Sequence, residues 1–230
     1  MKITCDKQKL NEAVLNIQRA VSSKSSIPAL EGILLRADQD SLQLYGYDLE
    51  LGITTVLDCK TEEKGSIVLS ARLLGEIVRR LPAPTVTISS GEKQITMIKS
   101  GEAEYSIVGI PAEEYPELPT VSSETSLKLP SETLRSMIRQ TLFAVADNDA
   151  KPIHTGTLFE LEPDHIRLIS VDGYRLAIRE ESIRCDLKTS FVVPGKTLSE
   201  VLKLLGDSDE ELELQISRRH ILFSIRNYTV

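Results

Sequence analysis

The sequence contains no tryptophan, and aromatic residues make up only 4% of its 230 residues. A buried core must therefore be built mainly from Leu, Ile and Val. The three cysteines, Cys5, Cys59 and Cys185, stand far apart, and none belongs to a CxxC pair. This usage indicates neither a disulfide framework nor a zinc site, and it favours a reducing, cytoplasmic location.

Long apolar runs and catalytic motifs are also missing. The N-terminus, MKITCDKQKL, is too polar for a secretory signal, and no apolar run is long enough to span a bilayer. The sequence lacks the dinucleotide, P-loop, serine-hydrolase and zinc-protease motifs, and His154, His165 and His220 stand alone. We therefore expect no catalytic residue, no metal site and no cofactor, which disfavours an enzyme.

The chain does contain an internal repeat. Sliding the sequence by 124 residues aligns about a dozen positions without gaps, most of them apolar. The matches include Leu10 with Leu134, Gly32 with Gly156, Asp48 with Asp172, Arg72 with Lys196 and Leu81 with Leu205. Chance overlap of two amphipathic patterns is the alternative, but the order of elements also agrees. The repeat predicts two copies of one domain, residues 1–120 and 121–230.

Each copy has the pattern helix, strands, helix, strands. Helices are predicted in 7–21, 71–81, 129–143 and 196–205, where apolar residues recur with helical spacing. Segments such as ELELQIS, residues 211–217, alternate apolar and polar residues. Such strands are typical of antiparallel sheets with one face packed on helices. The predicted fold class is α+β, with two helices per domain packed on antiparallel sheets.

Two expectations concern the segment that joins the two copies and the C-terminal end of the chain. Residues 109–126, GIPAEEYPELPTVSSETS, contain three prolines and four glutamates and are predicted to form an extended, solvated connector. We interpret the glutamates as a solvated face and not as catalytic carboxylates. By the 124-residue offset, copy two stops before its last strand is complete, so the chain is expected to be a fragment.

The charge is distributed unevenly. The chain has a net charge of −7, which at first argues against a nucleic-acid partner. Yet the segments 7–24, 71–81, 131–143 and 196–205 together hold eleven basic and four acidic residues, a net +7, which leaves −14 for the remainder. Glu is as good a helix former as Lys or Arg, so helix propensity does not explain the bias. A helical face offered to DNA phosphates would explain it, without any contact to base edges.

Six distinctive strings occur in this order: SIPALEGILL (26–35), YDLELGI (47–53), GIPAEEYPELP (109–119), KPIHTGTLFE (151–160), SVDGYRLAI (170–178) and FVVPGKTLSEV (191–201). Together they resemble one family, the bacterial DNA polymerase sliding clamp, which is the beta subunit of the replicative polymerase. The resemblance implies tandem DNA-clamp domains, of which this chain carries the first two of three. It implies a non-catalytic processivity factor that encircles duplex DNA as a head-to-tail dimer when full length.

The resemblance also implies residues for three surfaces. The DNA-facing positions are Lys24, Asn148, Lys151 and Lys196, to which the charge pattern adds Arg72. The cleft for peptides of the polymerase, the clamp loader and other partners takes His154, Val171, Gly173, Tyr174, Arg175 and Leu176. The subunit interface takes Leu73, Tyr105 and Ile107. Val171 stands where the family commonly has Thr, and His154 where it commonly has an apolar residue.

Two alternatives stay open at this point. A two-domain clamp of the trimeric kind also gives six domains per ring, although the bacterial strings argue against it. A non-replicative scaffold of the same fold would keep the basic helices and lose the cleft. The presence of the string DGYRLA argues against this alternative.

Overall fold

The structure, a computed structural model, describes residues 1–121, 125–147, 151–206 and 210–230. These residues form two compact units. Unit 1 comprises Met1–Leu118 and Asn227–Thr229, and unit 2 comprises Pro119–Arg226 and Val230. In each unit, helices pack on antiparallel sheets, which confirms the predicted α+β class.

Unit 1 contains the helices α1 (Lys7–Ile17) and α2 (Ala71–Arg80). Its strands are β1 (Lys2–Asp6), β2 (Gly32–Asp38), β3 (Ser41–Tyr47), β4 (Gly52–Asp58), β5 (Lys60–Glu63), β6 (Gly65–Ser70), β7 (Thr85–Ser90), β8 (Ile95–Ser100), β9 (Ala103–Val108) and β17 (Tyr228–Thr229). One sheet has the order β5-β1-β7-β8-β9, and the other runs β17-β4-β3-β2-β6.

Unit 2 contains the helices α3 (Ser131–Thr141) and α4 (Gly195–Leu204). Its strands are β10 (Thr125–Pro130), β11 (Gly156–Glu162), β12 (His165–Val171), β13 (Leu176–Ser182), β14 (Thr189–Pro194), β15 (Glu211–Ile216) and β16 (Ile221–Ile225). One sheet has the order β13-β12-β11-β14, and the other runs β10-β15-β16.

The two units repeat the same elements at the predicted spacing through α4. The bounds of α3 and α4 lie 124 positions after those of α1 and α2, and β11 to β14 follow β2, β3, β4 and β6 by the same interval. Beyond α4 the interval becomes 126, because β15 begins at Glu211 and its counterpart β7 at Thr85. The prediction of a register without gaps is therefore wrong after Leu205, where two additional residues precede β15.

Helix α1 shows how the sequence builds each unit. The Asp6 side chain accepts a hydrogen bond from the Lys9 N–H (2.8 Å), which satisfies one of the free N–H groups at the helix start. The buried face, on which Leu10, Val14 and Ile17 lie, packs on β3 and β4. Burying such side chains stabilises the fold by about 1.5–3 kcal/mol each. The basic residues remain on the outward face.

The connector differs from its prediction. Residues 109–118, here called the connector segment, lie on unit 1 and are not fully solvated. Ile110 and Val68 exchange two backbone hydrogen bonds, at 2.9 and 3.0 Å, and Tyr115 is only 6% exposed. The glutamates Glu113, Glu114 and Glu117 do lie on the exposed side. The prolines and glutamates conceal four apolar residues that give the segment one buried side, namely Ile110, Ala112, Tyr115 and Leu118.

The last residues of the chain also differ from expectation. The repeat assigns Asn227–Thr229 to an unfinished strand of the second copy, whereas these residues belong to unit 1 as β17, which pairs with β4. The Thr55 hydroxyl donates to the Asn227 carbonyl (2.9 Å), and the Asn16 amide donates to the Tyr228 hydroxyl (2.9 Å). These side-chain bonds have no signature in the periodicity of the sequence.

Candidate functional site

Basic side chains stand at the starts of α2 and α4. Arg72 and Lys196 are matched positions of the repeat, both exposed in the first helical turn, and neither helix has an acidic residue there. A cation at a helix N-terminus opposes the helix dipole, at a cost of about 0.3–1 kcal/mol. Its presence in both units therefore favours a role in attracting anions, since N–H groups and a cation together suit a phosphate.

The two units differ in how their helical charges are balanced. In unit 1, Arg79 and Arg80 end α2 on its exposed face, and within the described part of the chain they form no ion pair. In unit 2, Arg135 lies 3.1 Å from Glu132 and Lys203 lies 2.7 Å from Glu200. Unit 1 therefore presents the stronger uncompensated positive charge on its helices.

The remaining residues predicted to face DNA lie in loops. Lys24 is exposed, and its carbonyl accepts a hydrogen bond from the Ser22 hydroxyl (2.8 Å). Lys151 is exposed beside Pro152, and its carbonyl accepts from the His154 N–H (2.8 Å). Asn148 lies outside the described residues.

The predicted peptide cleft is built around the turn that joins β12 to β13. The Asp172 carboxylate accepts hydrogen bonds from the Tyr174 N–H (3.0 Å) and the Arg175 N–H (3.1 Å), and it pairs with the Arg175 guanidinium (2.8 Å). These backbone N–H donors, together with Arg175, lower the pKa of Asp172. Gly173 has φ +94°, a value that glycine adopts without strain, and open space surrounds it. The Asp172 hydrogen bonds define the turn, and the side chains of Tyr174 and Leu176 are exposed.

Exposed apolar side chains on this turn, on β13 and on the helical segments before β11 are here called the unit 2 turn surface. Its members are Phe143, Ile153, Tyr174, Leu176 and Ile178. Tyr174 is 100% exposed and Leu176 61% exposed. A group of exposed apolar side chains of this kind is a candidate interaction site.

Sequence reasoning missed Phe143 and Ile178. The Arg175 guanidinium lies 5.6 Å from the centre of the Phe143 ring, a contact worth about 0.5–1 kcal/mol where it is exposed. One signal could have identified this ring, because Phe143 falls one position off the apolar stripe of Leu134, Ile138 and Leu142.

The two other predicted cleft residues flank the turn. Val171 pairs with Leu176 across the hairpin, and its side chain is half-buried. His154 is half-buried in the short 3-10 helix Pro152–Thr155, directly before β11, and its carbonyl accepts from the Ala146 N–H (2.9 Å). Both residues therefore lie at the margin of the surface.

The predicted subunit interface falls on unit 1. Strand β9 is the last strand in its sheet and pairs with β8 alone among the described residues. It carries Tyr105, which is exposed, and Ile107, which is half-buried, while Leu73 lies on the exposed face of α2. An open edge strand offers unpaired backbone groups to another chain.

In the described ranges, no group of His, Cys, Asp or Glu side chains is arranged to hold a metal ion. Likewise, none of the helices of these ranges is long and apolar enough to cross a membrane.

A doubled α+β domain with basic helices and one exposed apolar turn surface defines the class as that of the clamp-type proteins. The family model for the N-terminal domain of the DNA polymerase III beta subunit matches residues 1–119, and that for its central domain matches residues 128–230. The chain belongs to the DNA polymerase III beta subunit family.

Similar proteins agree with this assignment. The beta sliding clamp of Bacillus subtilis is 35% identical over 237 residues, covering 99% of this chain and 63% of the relative. A crystal structure of a putative DNA polymerase III beta subunit from Eubacterium rectale has a TM-score of 0.96 at 38% identity, covering 100% of this chain and 63% of the other. The crystal structure of the sliding clamp from Bacillus subtilis also has a TM-score of 0.96, at 36% identity and the same coverage. The chain thus spans about 63% of the length of these proteins.

Proposed function

We propose that this protein acts as a DNA sliding clamp, a processivity factor without an active site of its own that surrounds duplex DNA in the cytoplasm. One observation carries the proposal: in an acidic chain, basic side chains occupy the helices, including first-turn positions that the helix dipole disfavours. The matched N-terminal and central domains of the family support it over a two-domain trimeric clamp. Phosphate contacts alone would let the protein move along any sequence.

The test is duplex binding by variants with reversed charge. We expect Lys24→Glu combined with Lys196→Glu to weaken binding to every DNA sequence alike, with a smaller dependence on salt. The wild-type dependence of log affinity on log salt should have a slope of about −0.9 per phosphate neutralised. Lys60→Glu, an exposed residue of β5, is the matched control and should leave binding nearly unchanged. A loss confined to one DNA sequence would contradict phosphate tracking.

The unit 2 turn surface is proposed to take short peptides from the replicative polymerase, the clamp loader and other clamp-binding proteins. Its apolar side chains and Arg175, which is paired with Asp172, support this role, because one or two apolar anchors contribute about 2–4 kcal/mol in interfaces. In the complete three-domain protein, Arg175→Ala with Leu176→Ala should abolish binding of a labelled peptide of the type Gln-Leu-x-Leu-Phe. Fluorescence anisotropy measures this, and DNA binding should survive. Unchanged peptide affinity would reduce the stretch to an ordinary hairpin turn.

Strand β9 is proposed to join a second subunit head to tail in the three-domain protein, with Tyr105, Ile107 and Leu73 at the interface. The open edge of this strand supports the proposal. Ile107→Arg should shift the dimer toward monomers in sedimentation at micromolar concentration, whereas Leu15→Arg, at an exposed position of α1, should not. An unshifted dimer in the Ile107 variant would exclude this strand from the interface.

A further inference from the structure

Two of the three cysteines of the chain lie at one corner of unit 1. Cys5 is in β1, and Cys59 is the residue between β4 of one sheet and β5 of the other. Both carry free thiols, and both are buried, with exposed fractions of 5% and 8%. Their wide spacing in the sequence gives no sign that the fold brings them to the same corner.

The register of β1 and β5 sets these two cysteines opposite each other. Thr4 pairs with Lys60 in this antiparallel ladder. The next position of the ladder therefore matches Cys5 with Cys59. Directly opposed residues of antiparallel strands point to the same face of the sheet, and the burial of both side chains agrees with this placement.

Backbone hydrogen bonds show which kind of pair the two cysteines form. The Ser90 N–H donates to the Met1 carbonyl (2.9 Å), and alternation along β1 turns the backbone groups of Cys5 toward β7 as well. The Cys59 N–H likewise does not point at Cys5, because it donates to the Asp40 carbonyl (3.1 Å). Cys5 and Cys59 thus occupy a non-hydrogen-bonded pair, in which opposed Cα atoms lie about 4.5 Å apart.

A pair of this kind can be bridged by a disulfide. Disulfides join residues whose Cα atoms are about 4.4–6.8 Å apart, so a bridge here needs little movement of the backbone. The separation lies at the short end of that range, where a bridge is strained and easily reduced again. The geometry therefore suits a reversible bond of the kind that senses oxidants in reducing compartments.

We propose that Cys5 and Cys59 form a modification site, a dithiol that a hydroperoxide oxidises to a disulfide. The Cys59 thiolate attacks one oxygen of hydrogen peroxide and breaks the O–O bond. This step leaves a sulfenic acid on Cys59, and the released hydroxide takes up the proton that the thiol lost. The Cys5 sulfur then attacks the Cys59 sulfur, and the sulfenic hydroxyl leaves as water with the Cys5 proton. The two thiols lose two electrons and two protons, and the peroxide is reduced to two molecules of water.

The surroundings of the two sulfur atoms set the rate and the order of these steps. Burial raises the pKa of both thiols, and burial together with the neighbouring Cys59 raises that of Cys5 to about 12, so oxidation should be slow. The Thr61 hydroxyl lies 3.4 Å from the Cys59 sulfur and favours its thiolate, which is why Cys59 is assigned the first attack. The carboxylates that raise these pKa values further are those of Asp6, Asp40 and Asp58.

The bridge would tie β1 to the corner where the chain passes from one sheet of unit 1 to the other. It would close a loop over residues 5–59 and so restrict the unfolded chain. The oxidised protein should therefore unfold at a temperature higher by about 5 °C or more than the reduced protein.

The test treats the folded 230-residue chain with hydrogen peroxide and follows its thiols and its circular dichroism spectrum. The thiols of Cys5 and Cys59 should disappear together while the spectrum is retained. A tryptic digest made without reductant should contain residues 3–7 joined to residues 37–60. Dithiothreitol should restore both thiols and return the unfolding temperature to that of the untreated protein.

Cys185→Ala is the matched control and should form the same bridge, whereas Cys5→Ala and Cys59→Ala should form none. Both thiols remaining free in the treated, folded protein would overturn the proposal. Oxidation of either sulfur to a sulfinic acid without a bridge would overturn it too, as would a bridge to Cys185 or to a second chain. A bridge that forms only after the circular dichroism spectrum is lost would belong to the unfolded chain and would equally contradict the assigned site.

Discussion

The turn after β3 in unit 1 and the turn after β12 in unit 2 have matching hydrogen bonds and opposite surroundings. The Asp48 carboxylate accepts from the Glu50 N–H (3.0 Å) and the Leu51 N–H (2.7 Å), as the Asp172 carboxylate does two and three residues on. Leu49 has φ +78°, close to the +94° of Gly173. The turn is therefore a property of the repeated fold and not of either surface.

What differs is the side chains that the two turns present. Leu51 is 2% exposed, whereas its counterpart Arg175 is largely exposed. The unit 1 turn is followed by Gly52, against which the connector segment packs, and the unit 2 turn by an exposed Leu176. The comparison shows that the same turn lies beneath an extended segment in unit 1 and is exposed among the described residues of unit 2.

The largest expected difference between the two units is in the loss of stability when Tyr115 or Tyr174 is replaced. Tyr115→Ala should lower the free energy of unfolding by about 3–5 kcal/mol, the range for removal of a large buried aromatic side chain. Tyr174→Ala, at a fully exposed position, should change it by less than about 0.5 kcal/mol. Urea denaturation measures both, and comparable losses would show that the two rings are equally buried in solution.

The helical charges offer a second, smaller contrast. Arg79→Glu with Arg80→Glu should reduce affinity for duplex DNA about tenfold at low salt and reduce the salt slope by about 2, since each cation contributes about one unit. Arg135→Glu with Lys203→Glu should have a smaller effect, because Glu132 and Glu200 already compensate these cations. Equal losses of DNA affinity for the two double variants, in titrations at several salt concentrations, would refute the difference in charge balance between the units.

The stability contributed by the buried Tyr115 and the stability contributed by the Asp172 turn should be lost at opposite ends of the pH range. Burial raises the pKa of the Tyr115 phenol, so its contribution to stability is complete below the ordinary tyrosine pKa and declines as pH rises above it. The lowered pKa of Asp172 has the opposite consequence. Its stabilisation of the turn is present above the ordinary aspartate pKa and is lost as pH falls through the lowered value.

NMR titration of the neighbouring amides can check that one loss of stability occurs in alkali and the other in acid. The Tyr174 and Arg175 amides should shift only in acid, and Asp172→Asn should remove that response. The Ile110 amide should lose protection only in alkali, and Tyr115→Phe should remove that loss. An acid transition at Ile110 that precedes global unfolding would contradict the assignment.

Much of the architecture could be predicted from the sequence, since helical spacing and strand alternation mark α1 to α4 and strands such as β15. The burial of Tyr115 could not, because prolines and glutamates around it resemble a solvated linker and its partners are distant in sequence. The pairing of β17 with β4 likewise depends on side-chain hydrogen bonds that no periodicity records. Phe143 was missed because its role depends on the Arg175 guanidinium, 32 positions away.

The most direct test compares hydrogen exchange at two matched amides. The Val68 N–H donates to the Ile110 carbonyl (3.0 Å), while the Val192 N–H faces the outer edge of β14. The account predicts slow exchange at Val68 and exchange near that of an unprotected amide at Val192. Protection of Val192 equal to that of Val68 in the folded 230-residue chain would contradict the described pairing, in which β6 is paired with Ile110 and β14 has no partner on its outer edge among the described residues.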